Sequence, residues 1–224
     1  MRLPDVATAL EAAYTGLTDV VADLDDLELL LPSGCRGWTI CDLLLHVSLD
    51  AQRALVAFAV PVDGPADVDF VSYWRSFAGV GDASAASAHA QWVRRTAAAF
   101  NQPSGVVQRW TETSAAAVSV AHRADPGSFI GTQEHVLAVP DFTATLVTEA
   151  VIHHLDLIVS LPDAPEPPPE AIEIALSTLD GLAAPVGLPA HWSEHETLLK
   201  GTGREELTAA DRSAVEGLTF PLLG

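Results

Sequence analysis

Apolar residues recur at helical spacing over residues 3 to about 30, where Val6, Leu10, Ala13, Leu17, Val20, Val21 and Leu24 share one face. They predict a first helix, which Pro32-Ser33-Gly34 would end. A cleaner stripe follows in Ile40, Leu43, Leu44, Val47, Ala51, Ala54, Leu55 and Phe58. Thr39 is placed to cap this second helix, Asp42 to complete an approximate capping box, and the stretch 61–65 to close it. The alanine-rich stretch 82–101 predicts a third helix, which 105–124 continues or repeats. Asp125-Pro126-Gly127 reads as a turn and 131–139 as a short strand, and Pro140 suits the first turn of a helix reaching about Leu161. The proline-rich run 162–169 reads as a stiff extended linker dividing the chain into 1–162 and 163–224. Beyond it, 170–183 predicts a helix, and Leu207-Thr208-Ala209-Ala210-Asp211 opens a last short one with its own capping box. The pattern as a whole predicts a mainly α fold: a helical bundle followed by a small helical or α+β appendage.

Composition narrows the setting. Of the 224 residues, 49% are hydrophobic, enough to bury a sizeable core without disulfide staples. No run of apolar residues is long enough to span a membrane. Asp5, Glu11 and Asp19 interrupt the first twenty residues, so no secretory signal is expected there. Cys35 and Cys41 are the 2 cysteines, which makes no disulfide framework and fits a reducing cytoplasm. Cys41 falls in a helical first turn, where the dipole can activate a thiol, but a small buried cysteine is the better reading. Acidic residues outnumber basic ones 30 to 11, a formal charge of −19, which excludes nucleic acid and anionic membranes as expected partners.

Candidate chemistry sits in Thr148-Glu149-Ala150-Val151-Ile152-His153-His154-Leu155-Asp156. Glu149 and His153 are four apart, so on a helix they project from one face and can share a ligand. Asp156 and Ser160 continue that line, and the rest of the circumference is apolar, as in a helix central to its fold. Glu-x-x-x-His supplies two metal ligands; the third must come from elsewhere. His46 is the best candidate, because it lies on the flank of the second helix's apolar stripe and can face a neighbouring helix. His89, His122, His135, His154, His191 and His195 are spare histidines, any of which could be the third ligand instead, though His154 points well away from Glu149 and is assigned to packing. Two imidazoles and a carboxylate with open positions suit Zn²⁺, then Ni²⁺, Fe²⁺ or Mn²⁺. From spacing alone, an ordinary surface Glu-His pair is the commoner outcome.

Gly37-Trp38-Thr39-Ile40-Cys41-Asp42-Leu43-Leu44-Leu45-His46 resembles the G-W-T-x-x-D-L-x-x-H opening of the mycothiol-dependent maleylpyruvate isomerase family, part of the DinB-like superfamily. The stretch from Glu149 to Leu157 resembles its E-x-x-x-H-x-x-D segment, and the tail from Leu199 through Gly224 is similar to tails seen there. The resemblance implies a DinB-like four-helix bundle with His46, Glu149 and His153 as ligands of a divalent metal, usually zinc, and mycothiol as cosubstrate. The implied chemistry is a metal-held thiolate adding to a small electrophile, in an isomerase or an S-transferase. Asp156 would orient a histidine or bind polar groups of the thiol, unless it is a solvent-facing carboxylate. Arg204 would clamp a carboxylate substrate, unless it forms a plain salt bridge. The region after Pro169 is shorter than the isomerase's own C-terminal domain, which argues against maleylpyruvate itself as substrate. Two further readings stay open: a hydrolase of the same fold using bound water, and a non-catalytic, stress-linked metal-binding bundle. Bundles of this kind often form homodimers, although no stripe here is left clearly unused.

Overall fold

The computed structural model describes residues 3–75 and 83–223; residue 82 and Gly224, at the edges of two sequence assignments, lie outside that range. In chain order the helices are α1 (Leu3–Val21), α2 (Ile40–Ala59), α3 (Ser72–Arg75), α4 (Ala83–Ala97), α5 (Ser104–Ala121), α6 (Val139–Ile158), α7 (Pro169–Ala183), α8 (Glu194–Gly201) and α9 (Ala209–Ala214). Four of them, α1, α2, α5 and α6, form a bundle in which α1 and α2 each pack against both α5 and α6. Its core includes Leu10, Leu17, Leu43, Leu44, Trp110, Val147 and Leu157, all fully buried. Trp110 meets its burial's polar requirement by donating Nε1–H to Thr18 Oγ1 at 3.0 Å, and Tyr14 packs edge-on against its ring.

The second helix forms as its sequence predicts. Thr39 accepts the Asp42 N–H while the Asp42 carboxylate accepts the Thr39 N–H, a reciprocal capping box. The first helix is shorter than its apolar periodicity suggests. Asp25 Oδ1 accepts the backbone N–H groups of Leu27 and Glu28, diverting the chain into a separate 3₁₀ turn over Glu28–Leu30. The stretch 105–124 is a helix of its own, α5, set off from α4 by the turn at 98–103.

The expected single strand at 131–139 is a hairpin. β1 (Phe129–Thr132) pairs antiparallel with β2 (His135–Ala138), Phe129 opposite Ala138. The two-residue turn places Gln133 and Glu134 at φ 46° and 68°. The strands precede α6, so the appendage after the proline-rich run is helical among the described residues. In it, α7 packs on α6 and α1, and α8 packs on α7. No described helix is long and apolar enough to cross a membrane.

Candidate metal centre

The central helix α6 is buried on nearly all sides, so its polar side chains must find partners inside the protein. Glu149 and His153 do so four residues apart, with His153 Nε2 3.1 Å from Glu149 Oε2. Across the bundle, α2 turns His46 toward them, and the His46 and His153 rings stand nearly perpendicular with centroids 5.0 Å apart. One potential ligand atom each from His46, Glu149 and His153 lies within 4.8 Å of the others. The flank position on α2 is therefore what brings the third residue to the Glu-x-x-x-His pair.

Behind His153 stands a second layer. Its Nδ1 lies 3.0 Å from Asp156 Oδ2, and Asp156 is 2% exposed, not the solvent-facing carboxylate that was one expectation. Arg204 donates Nε–H to Asp156 Oδ1 at 2.9 Å and Nη2–H to Oδ2 at 2.7 Å, while its Nη1 donates to the Thr202 carbonyl at 2.9 Å. Cys35 donates its thiol to Asp156 Oδ2 at 3.3 Å, with Sγ 3.9 Å from His153 Nδ1. Cys35, His153 and Asp156 form a second cluster of ligand-type atoms on the opposite edge of the same imidazole. The loop carrying Cys35 lies hard against α6: Gly34 N–H donates to the Asp156 carbonyl at 2.8 Å. A Cβ at Gly34 would meet Asp156 Oδ1 at 2.6 Å and Cα at 3.0 Å, so glycine is required there.

The electrostatics follow from this packing. Burial pushes the Glu149 carboxyl up, but the His153 hydrogen bond and the charges of His153, His46 and Arg53 bring it below its ordinary value. Burial likewise disfavours charge on His153, and its bonds to Asp156, Cys35 and Glu149 outweigh that and hold it well above the ordinary histidine range. His46 is driven down to about 4, first by burial and then by the His153 charge. Asp50, 3.8 Å from His46 Nε2, is pushed up to about 6 by burial and by Glu149.

The Mycothiol maleylpyruvate isomerase N-terminal domain model matches residues 10–158, well over half the chain. The chain belongs to this family. No curated protein matches it. Its fold is similar to that of the mycothiol-dependent maleylpyruvate isomerase, with a TM-score of 0.53 and 16% identity over 83% of this chain and 70% of that one. A variant of that enzyme with one histidine changed to alanine superposes with the same TM-score at 15% identity. The family match takes in His46, Glu149, His153 and Asp156 and stops short of Arg204, which the turn after α8 brings to the centre from the appendage.

The other sequence candidates lie elsewhere. His154 is buried, with Nε2 2.8 Å from the Pro165 carbonyl, in keeping with a packing role. Cys41 is buried too, and burial raises its thiol to about 11, away from reactivity. Ser160 donates to the Pro32 carbonyl at 2.6 Å. His122 pairs with Glu11 and His135 with Asp67, both near the surface. His89 reaches the rim of the centre, its ring 5.5 Å from that of His46. A cavity of about 510 Å³ between α2, α4 and the start of α5, lined by Thr39, Cys41, Arg94 and Phe100 among others, includes none of the three candidate ligands.

Proposed function

We propose that this protein binds a divalent metal, zinc first, on His46, Glu149 and His153, and joins mycothiol to a small electrophile as an S-transferase or isomerase. The observation that carries the reading is the convergence of two imidazoles and one carboxylate from two helices within 4.8 Å. Nitrogen and oxygen donors in this number suit zinc with open positions for a substrate. Membership of the mycothiol-dependent family supports the choice of thiol. A bound divalent ion supplies a Lewis acid that lowers a thiol's pKa toward neutrality.

The chain's own residues prepare that place. Asp156 accepts the His153 Nδ1–H, which leaves Nε2 as the ligating nitrogen and fixes the ring's orientation. Arg204 holds Asp156 by two parallel bonds and keeps it ionised, so Arg204 acts through Asp156 as a positioning residue, with its fork already occupied. Burial of the centre strengthens each of these interactions.

Zinc-loaded protein incubated with mycothiol and a simple electrophile is expected to form the thioether or isomerised product faster than buffer does, and His46→Ala is expected to abolish the difference. No acceleration from fully loaded protein would contradict the reading. Turnover of ester or amide substrates without thiol would instead favour the hydrolase.

A further inference from the structure

The spare histidines other than His89 have polar partners: His122, His135, His191 and His195 each stand beside a carboxylate, and His154 meets the Pro165 carbonyl. His89 has neither a hydrogen bond nor an ion pair among the described residues; what it meets is the candidate centre. It sits four residues before the fully buried Val93, on the face that α4 packs against α2. Its ring stands edge-on to that of His46, centroids 5.5 Å apart at 77°, with Trp92 at 5.9 Å and Trp38 at 6.5 Å. Two imidazoles bound to one zinc at about 2.0 Å and near-tetrahedral angles place their ring centres roughly 5 Å apart. The His46–His153 pair, at 5.0 Å, has that spacing, and the His46–His89 pair, at 5.5 Å, comes close to it. His89 lies outside the 4.8 Å cluster of ligand atoms, and as an exposed side chain it can change rotamer to join it.

We propose that His89 is a fourth, exchangeable ligand of this centre, closing the ion in the resting protein and yielding its place to the incoming thiol. This rests on the function proposed above. The thiol enters as thiolate, its proton passing to solvent, and one zinc–nitrogen bond is replaced by one zinc–sulfur bond. A resting site closed by histidine also withholds that position from water, the nucleophile of the hydrolase reading.

The test is nuclear magnetic resonance of ¹⁵N-histidine-labelled protein, reading the ring nitrogens through their carbon-bound protons as zinc and then mycothiol are added. His89→Ala identifies the His89 signals. Zinc is expected to move a nitrogen of His46, of His153 and of His89 to ligated values, and mycothiol to return His89 alone to its zinc-free position. In a chelator competition, His89→Ala and His89→Phe are both expected to hold zinc less tightly, by at least the roughly 10-fold that even an outer-shell change costs. The second variant keeps a ring against His46 and Trp38 and removes the nitrogens, so wild-type affinity in His89→Phe would make His89 a packing residue and overturn the inference. Zinc binding that leaves both His89 nitrogens unmoved overturns it too, as does a His89 that stays on zinc while mycothiol binds. Protein that holds zinc on His46 and His153 without His89 defeats this inference alone, whereas protein that holds no zinc defeats the function on which it rests.

Discussion

Asp156 is where the candidate centre is most exposed to a single change. This carboxylate of a buried helix accepts from His153 on the same helix, from Cys35 in a loop and twice from Arg204 in the appendage. Asp156→Asn keeps the volume, removes the charge and leaves the guanidinium facing a neutral amide. Outer-shell changes of this kind cost metal sites roughly 10- to 100-fold in affinity. That loss is the expected outcome in a chelator competition, with Arg204→Gln shifted the same way; affinity unchanged in both would mean the second layer does not orient His153. Helical periodicity put Glu149, His153 and Asp156 on one line of one helix, whereas His46, on another helix, was singled out from among several histidines by its flank position and by the family resemblance. Cys35 was not legible, because it sits in a loop, where no period says what it will touch.

At the scale of elements, α2 depends on its first turn. Thr39 and Asp42 satisfy each other's N–H groups at the end of the helix that carries His46. Thr39→Ala is expected to lower stability by about 1 kcal/mol in a urea titration, with the helix still formed by its apolar face. A loss near zero would show that the neighbouring Pro32–Thr39 bridge suffices to set the helix start. The long helices were readable from apolar period and caps. The first one stops early because Asp25 is both a tolerable helix residue and a good cap, a choice that side-chain geometry decides. The hairpin turn escaped notice because Gln133-Glu134 lacks the Asn-Gly or Asp-Gly chemistry that usually marks positive φ. Helix α8 also passed unread, although Ser193 and Glu196 form a capping box of their own.

Over the whole molecule, the appendage is tied together by a buried polar knot and to the bundle by Arg204. Asp211 accepts the Thr208 N–H, the Trp192 Nε1–H at 2.7 Å and the Thr208 hydroxyl, and lies 3.3 Å from Lys200 Nζ. Lys200, 5% exposed, stands 5.0 Å from the centre of the Trp192 ring. The Thr208 backbone bond, then the Trp192 and Thr208 side chains, hold the Asp211 carboxyl well below the usual carboxylate range. A carboxyl depressed in the folded state stabilises fully above its unfolded value, about 3.9, and loses that contribution as pH falls toward the folded one. The difference in urea midpoint between wild type and Asp211→Asn should therefore be largest near neutrality and shrink below about pH 4. A difference that does not change with pH would place the effect of Asp211 in packing alone.

The central claim is a metal held by His46, Glu149 and His153, and elemental mass spectrometry of the purified protein tests it most directly. Wild type beside His153→Ala, both prepared without chelator, is the comparison. The account expects about one zinc or other divalent ion per wild-type chain and essentially none in the variant; wild-type protein that holds no metal, even after reloading, would contradict it.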